Sequence, residues 1–221
     1  MKIENAISRL NKILPLKRHL DALPAETAQL YRAVLDGFYS IGRAPTLDEL
    51  IRMNAAAAQE LQTLAQQDLL MLDDMGEVFG CYPFTMDKRI HRIVLNGHQV
   101  HAMCALDALA PSAMFECASE VFSECAVTQA AVHIRLLNQA VENADKVEQL
   151  HFGINWQAAS SCCSCADSLC TEMLFLIDRK TAQNWQQQDE QNREIFTLPQ
   201  AVAFSAGFFK PLMEEGANSP S

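Results

Sequence analysis

Long apolar runs are missing from the 221-residue chain. No run approaches the roughly 18 to 20 residues that a membrane-spanning helix needs. The opening stretch, MKIENAISRLNKILPLKRHL, is charged throughout and lacks the apolar core and small-residue cleavage site of a secretory signal. We therefore expect a cytoplasmic protein with no membrane partner.

Basic residues are also scarce. The chain has 17 Lys and Arg against 27 Asp and Glu, which gives a formal net charge of −10. A nucleic-acid-binding protein normally concentrates Lys and Arg on one face, so this balance disfavours a nucleic-acid partner. Charged residues make up 20% and apolar residues 49% of the chain, as in ordinary globular proteins.

A second Cys-x-x-Cys knuckle or a His pair, which would complete a structural zinc site with Cys162 and Cys165, is absent, yet cysteine is abundant. In a reducing compartment structural disulfides are improbable, so three interpretations remain open: small buried apolar residues, metal ligands or reactive thiols. The eight cysteines are Cys81, Cys104, Cys117, Cys125, Cys162, Cys163, Cys165 and Cys170.

The first third of the chain has helical patterns. Apolar residues at helical spacing predict one N-terminal helix over residues 1–20. A second helix is predicted to start at Pro24 and to end at Gly42. Thr46 then precedes Glu49 by three residues, which is the signature of a capping box at the start of another helix.

A further helix is predicted over residues 55–72, followed by a turn and a short strand. This order predicts a winged-helix-like module over residues 21–86. The segment from Asn54 to Gln67 contains no Lys or Arg that would hold a recognition helix on the phosphate backbone. We therefore interpret the module as a scaffold.

From residue 87 the apolar pattern changes to the alternation of strands. Asn96-Gly97 predicts a tight hairpin, and a short helix is predicted to follow and to be closed by Pro111. The fold class that results is α+β: the winged-helix-like module packs on a C-terminal, largely antiparallel or mixed sheet with flanking helices. Residues 87–215 form the predicted catalytic domain, and 216–221 a disordered tail.

Cys104 and Asp107 stand three positions apart in the apolar stretch HAMCALDALAP. At the start of a helix they would share a face. The helix N-terminus is expected to lower the pKa of the Cys104 thiol, and burial is expected to raise the pKa of Asp107. The pair is thus a candidate nucleophile and proton carrier, although a buried cysteine beside a turn-capping aspartate would give the same spacing.

A second concentration of cysteine lies at Cys162, Cys163, Cys165 and Cys170. Thiolates are soft ligands that suit zinc, copper(I), iron–sulfur clusters or mercury. Cys170 stands apart from the other three at the start of an apolar strand, where it could point into a pocket.

Three stretches together resemble the organomercurial lyases, also called alkylmercury lyases, of bacterial mercury resistance. They are VHAMCALDALAP, SECAVTQAAVHI and LCTEMLFLIDRKTAQNW. The family has a similar Cys-x-x-Asp segment, a cysteine eighteen residues beyond the aspartate, and a last cysteine ahead of a strand and a Trp-containing helix. The resemblance extends over about residues 20–215 but is specific only in these stretches.

The resemblance implies catalytic roles for Cys104, Asp107 and Cys170. The two cysteines would bind the mercury of the substrate, and Asp107 would carry a thiol proton to carbon. Cys125 would be structural. The sequence departs from the family after the last cysteine, where Thr171, Glu172 and Met173 follow.

The extra cysteines Cys162, Cys163 and Cys165 have two explanations. They are a relay that accepts mercury(II), or they belong to a loop without a role. An apolar surround from Leu106, Phe79 and Phe175 is a further hypothesis.

The resemblance implies no resident cofactor, because mercury is substrate and product. The implied partners are an organomercurial small molecule, low-molecular-weight thiols and, as a candidate, a mercuric reductase. Two alternatives stay open: a cysteine-based, soft-metal-responsive winged-helix regulator, and a metal-binding homologue without lyase activity.

Overall fold

Helices fill the N-terminal part of the chain. The computed structural model describes residues 2–159 and 168–214. Its first five helices are α1 (Lys2–Ile13), α2 (Leu16–Asp21), α3 (Ala25–Ser40), α4 (Leu47–Met53) and α5 (Ala57–Gln66). The predicted single helix over 1–20 is divided at Pro15, which has no N–H to continue the hydrogen-bond ladder and caps α2 instead.

The predicted helix boundaries around α3 and α4 are confirmed. Helix α3 begins directly after Pro24, and Gly42 follows its end with a positive φ of 73°. At the start of α4 the side chain of Thr46 accepts a hydrogen bond from the N–H of Glu49, and the Glu49 carboxylate accepts one from the N–H of Thr46.

An antiparallel sheet of eight strands forms the centre of the fold. Its strands are β1 (Leu70–Leu72), β2 (Val78–Cys81), β3 (Phe84–Thr85), β4 (Arg92–Leu95), β5 (His98–Ala102), β6 (Ala118–Glu124), β7 (Ala131–Leu137) and β8 (Ala140–Val141). The strand order is β1-β2-β3-β5-β4-β6-β7-β8. The Asn96-Gly97 turn joins β4 to β5 as predicted, with both turn residues at positive φ.

The predicted helix over 55–72 is wrong at its C-terminal end. Asp68 has a positive φ of 54°, a conformation that an α-helix cannot continue through. Residues Leu70–Leu72 pair with β2 instead, and Leu70 lies opposite Cys81. Sheet pairing of this apolar run therefore overrides its helical period.

A second antiparallel sheet contains β9 (His151–Asn155), β10 (Met173–Leu176) and β11 (Arg193–Thr197), in the order β10-β9-β11. The remaining helices are α6 (Ala105–Ala108), α7 (Ala110–Met114), α8 (Ala144–Val147), α9 (Arg179–Gln187) and α10 (Leu198–Phe209). The α+β class with a large antiparallel sheet and flanking helices is confirmed. Short helix α6 packs between β5, β10 and α10.

Pro111 does not close the helix that contains Asp107. Helix α6 ends at Ala108, and Pro111 lies in the first turn of α7. A proline is well tolerated there because first-turn N–H groups have no partner within the helix.

The segments on either side of residue 86 share one sheet. Strand β3 pairs with β5, and Phe84 lies opposite Ala102. Helices α3 to α5 and the β1–β2 hairpin have the order expected of a winged helix, but that interpretation and the boundary at 86 stay predictions. The predicted tail, 216–221, lies outside the described residues. Within the described ranges, none of the helices is both long and apolar enough to cross a bilayer.

Candidate active site

Cys104 lies at the junction between the large sheet and α6. It follows β5 by two residues and caps the N-terminus of α6 in an extended conformation, with φ −149° and ψ 179°. Its Sγ accepts a hydrogen bond from the backbone N–H of Asp107 at 3.4 Å. Because only 1% of Cys104 is exposed, the thiol sits inside the protein.

Asp107 is a buried carboxyl group on the same turn. Only 2% of the residue is exposed, and its Oδ2 has no hydrogen-bond partner among the described residues. Burial raises the pKa of Asp107 to about 7, although contacts with Cys104 and the charge of Arg89 act in the opposite direction. The predicted rise in this pKa is confirmed.

Cys170 belongs to a segment distant in sequence but lies beside Cys104 and Asp107. It lies in a 3₁₀ helix, Leu169–Glu172, directly before β10, and 4% of it is exposed. The Sγ atoms of Cys104 and Cys170 and a carboxylate oxygen of Asp107 all lie within 4.8 Å of one another. The structure thus brings together the three residues that the sequence singled out, in a group that could hold a soft metal ion.

The expected lowering of the Cys104 pKa is wrong. Burial raises the pKa of this thiol to about 12, and the Asp107 carboxylate adds to the rise, against a hydrogen bond with Cys170 that lowers it. Helix α6 has only four residues, so the partial positive charge at its N-terminus lowers the Cys104 pKa only weakly against the effect of burial. The resting form of Cys104 is therefore the neutral thiol.

Two further residues contact this site and were not singled out from the sequence. The Sδ of Met173 lies 3.5 Å from the Cys104 Sγ. Arg89 donates from Nη1 to the carbonyl oxygen of Met103 at 3.3 Å, and its own carbonyl contacts His101 Nδ1 at 2.7 Å. The spacing Cys170-x-x-Met173 was a visible signal for the first, whereas no local pattern points to Arg89.

Of the three residues proposed as an apolar surround, two are buried, and their place around the site stays a prediction. Leu106 and Phe175 are buried at 1% and 0% exposure, and Phe175 lies on the same face of β10 as Met173. Phe79, in contrast, is 36% exposed on β2 and belongs to the surface. The sequence of a four-residue strand such as β2 does not show which of its two faces other elements cover, so the exposure of Phe79 could not be predicted.

Cys125 lies where the end of β6 meets the end of β10. It follows β6, it is 1% exposed, and its Sγ accepts a hydrogen bond from the N–H of Ile177 at 3.4 Å. The neighbouring Ala126 donates its N–H to the carbonyl of Phe175 at 3.0 Å. These contacts attach the end of β6 to the end of β10.

No disulfide involves the cysteines within the described parts of the chain; Cys81, Cys104, Cys117, Cys125 and Cys170 are all free thiols. The proposed relay residues Cys162, Cys163 and Cys165 lie outside the described residues.

Comparison with known proteins places the chain in a family. Residues 84–210, more than half of the chain, match the family model of MerB, alkylmercury lyase. The chain belongs to the alkylmercury lyase family. An alkylmercury lyase of Staphylococcus epidermidis is 29% identical over 149 residues, which cover 67% of this chain and 64% of the relative. The alignment therefore spans slightly less than two thirds of that family member.

A solved structure has the same fold as the present chain. The crystal structure of the mercury-bound form of MerB2 superimposes with a TM-score of 0.70, covering 90% of this chain and 98% of the other. The two sequences are 19% identical, so the likeness concerns the fold alone. It confirms the α+β architecture.

Proposed function

We propose that the protein is an organomercurial lyase, which cleaves the carbon–mercury bond of alkyl or aryl mercury by protonolysis. The products are a hydrocarbon and mercury(II). The observation that carries the proposal is the buried group of Cys104, Asp107 and Cys170, whose ligand atoms lie within 4.8 Å of one another. Membership of the alkylmercury lyase family supports it.

Two sulfur atoms are needed because one does not activate the substrate. A carbon–mercury bond is nearly nonpolar, and mercury with one thiolate and one carbon is linear and stable. A second thiolate raises the coordination number and pushes electron density onto the carbon. The carbon then becomes basic enough to accept a proton, provided that an acid is held beside it.

The protons balance when the substrate arrives as an adduct of a small thiol, R–Hg–SR′. The Cys104 thiol gives its proton to the Asp107 carboxylate as its sulfur binds mercury, and Cys170 binds next. Asp107 then protonates the carbon, so that R–H leaves. The proton of Cys170 leaves with the displaced thiolate as R′SH, and mercury(II) remains on the two cysteine sulfurs.

Asp107 suits the double role of base and acid. Burial raises its pKa to about 7, so that both the carboxylate and the acid are populated near neutral pH. Its Oδ2 is buried and without a partner among the described residues, and it is therefore available to a reacting atom. Cys104, Asp107 and Cys170 are themselves buried, at 1%, 2% and 4% exposure, so the reaction would take place away from bulk water.

Release of the product requires help from outside the site. Low-molecular-weight thiols in excess would exchange with Cys104 and Cys170 and remove the mercury(II). A mercuric reductase is a candidate to receive it. No resident cofactor takes part in this scheme.

Phenylmercury provides a direct test. Purified protein is incubated with phenylmercury and excess thiol, and benzene is measured by gas chromatography. We expect catalytic release of benzene by the wild type and loss of most turnover in Cys104→Ser, with Cys117→Ser as the matched cysteine control. Absence of benzene from the wild type, together with a retarded promoter-DNA band, would favour the metal-responsive regulator; mercury binding with neither result would favour a non-catalytic homologue.

A further inference from the structure

A third sulfur atom borders the cysteine pair. Met173 is the first residue of β10, and its Sδ lies 3.5 Å from the Cys104 Sγ in hydrogen-bonding geometry. Both residues are buried, Cys104 at 1% and Met173 at 2% exposure. The proposed reaction assigns no role to this thioether.

The backbone presents Cys170 and Met173 as one unit. The Met173 N–H donates to the Cys170 carbonyl at the end of the 3₁₀ helix, so the two residues occupy one turn of chain. Pairing of β10 with β9 then fixes Met173 opposite Ile154. The thioether is thus held beside the site by the ladder of the small sheet.

The contact between the Cys104 and Met173 sulfur atoms indicates where a metal would lie. When Cys104 binds mercury, the metal takes the place of the thiol proton. In the structure the Met173 Sδ lies 3.5 Å from the Cys104 Sγ, and a thioether sulfur is a soft donor of the class that prefers soft cations. A mercury ion bound to Cys104 on this side would be within reach of both sulfur atoms.

We propose that Met173 is a third ligand, which donates its thioether sulfur to mercury held by Cys104 and Cys170. This inference rests on the proposed function and extends it. The two thiolates neutralise the charge of mercury(II), and the neutral thioether adds an electron pair without any proton to remove. In the substrate complex the additional donor pushes more electron density onto the carbon, in the same sense as the second thiolate.

The alternative is that Met173 only fills a gap in the core, as methionine often does. Mercury(II) alone, without an organic group, separates the two. Its affinity is measured by competition with a small dithiol chelator in wild type, Met173→Leu and the control Met114→Leu. Met114 is also buried, at 5% exposure, but lies on α7, outside the turn that carries Cys104 and Asp107.

We expect mercury(II) to bind about tenfold more weakly to Met173→Leu, a loss of the size that mutations around metal sites cause, with Met114→Leu unchanged. Equal affinities in the two variants would overturn the assignment. Thermal melting of the metal-free variants checks that each is folded.

A second measurement needs no variant. In crystals of mercury-loaded selenomethionine protein, the anomalous map locates both mercury and the selenium of residue 173. A separation shorter than van der Waals contact supports coordination, and contact distance or more overturns it. Benzene release in parallel keeps the two ideas apart: turnover without a bond to Met173 defeats this inference alone, whereas mercury on all three sulfurs without turnover defeats the proposed lyase activity.

Discussion

Asp107 is a residue whose burial opposes folding at neutral pH. Its carboxyl is 2% exposed, and its pKa is raised to about 7 because the charged form loses hydration. Between about pH 4, the ordinary pKa of Asp, and pH 7 the folded state binds more protons at this group than the unfolded state does. Stability from Asp107 is therefore complete below this window and is lost as the pH rises through it.

Asp107→Asn removes that titration. We expect the variant to gain free energy of unfolding relative to wild type as the pH rises from 4 to 8, by roughly 1 to 4 kcal/mol, while it loses about a hundredfold or more in turnover. Urea unfolding at pH 4 and pH 8 measures the gain. A difference between the two proteins that does not change with pH would contradict the account.

Asp178→Asn is the control of opposite sign. Hydrogen bonds from Thr181 hold the pKa of Asp178 below its usual range at the start of α9. Its contribution to stability is therefore present at pH 8 and is lost as the pH falls through that lowered pKa. This variant should gain nothing relative to wild type between pH 4 and pH 8.

Cys125 should matter for stability rather than for turnover. Its Sγ accepts the N–H of Ile177, and Ser in its place is smaller and more polar in a buried position. We expect Cys125→Ser to lower the free energy of unfolding by about 1 to 2 kcal/mol and to leave kcat largely unchanged. Half-buried Cys117→Ser is the control and should cost less stability; a specific loss of kcat in Cys125→Ser would place Cys125 in the reaction.

At the scale of elements, the segment between β3 and β4 supports the site. Arg89 donates to the Met103 carbonyl, next to Cys104, and its charge lowers the pKa of Asp107. In the proposed reaction Asp107 must start as a carboxylate, so the acidic limb of kcat/KM against pH reports its pKa.

Arg89→Met removes this charge and should raise the pKa of Asp107. We expect the acidic limb to move upward by up to about one pH unit. Arg89→Lys keeps the charge and should leave the acidic limb close to its wild-type position. Arg92→Met is the control and should not move the limb, because the Arg92 guanidinium lies over the Phe122 ring, 4.7 Å from its centroid. An unshifted limb in Arg89→Met would show that this segment does not tune Asp107.

Elements with strong local signals could be predicted from the sequence. The Asn96-Gly97 hairpin and the Thr46 capping box depend on residues close in the chain, and both formed as expected. Residues Leu70–Leu72 did not form a helix, because their pairing with β2 is decided by residues further along the chain. Strand β11 likewise forms by pairing with β9, and the sequence analysis predicted no strand over its residues.

The candidate site was likewise predictable only where it depends on residues close together in the chain. Cys104 and Asp107 share one turn, which their spacing indicates, whereas their meeting with Cys170 followed only from the family resemblance. The predicted direction of the shift in the Cys104 pKa was wrong, because burial raises this pKa more than the N-terminus of a short helix lowers it. The burial of Cys104 depends on distant segments and cannot be predicted from the four residues of α6. The spacing Cys170-x-x-Met173 shows that these two residues are close, but the contact of Met173 with Cys104 depends on the packing of α6 against β10.

At the scale of the whole molecule, the site exists because two sheets meet at one short helix. Cys104 and Asp107 arrive at the end of β5 in the large sheet, and Cys170 arrives at the start of β10 in the small one. Helix α10 packs against α6 from another side, and Ser205 donates to the Leu106 carbonyl at 2.8 Å. In the proposed reaction, sulfur atoms carried by both sheets therefore act on one mercury atom.

The most direct measurement is the methane released from methylmercury in heavy water with excess thiol. The account predicts singly deuterated methane from the wild type, because exchangeable thiol deuterons reach the carbon through Asp107. It predicts almost none from Cys104→Ser, Cys170→Ser or Asp107→Asn. Methane without deuterium, or release at the wild-type rate by either cysteine variant, would contradict it.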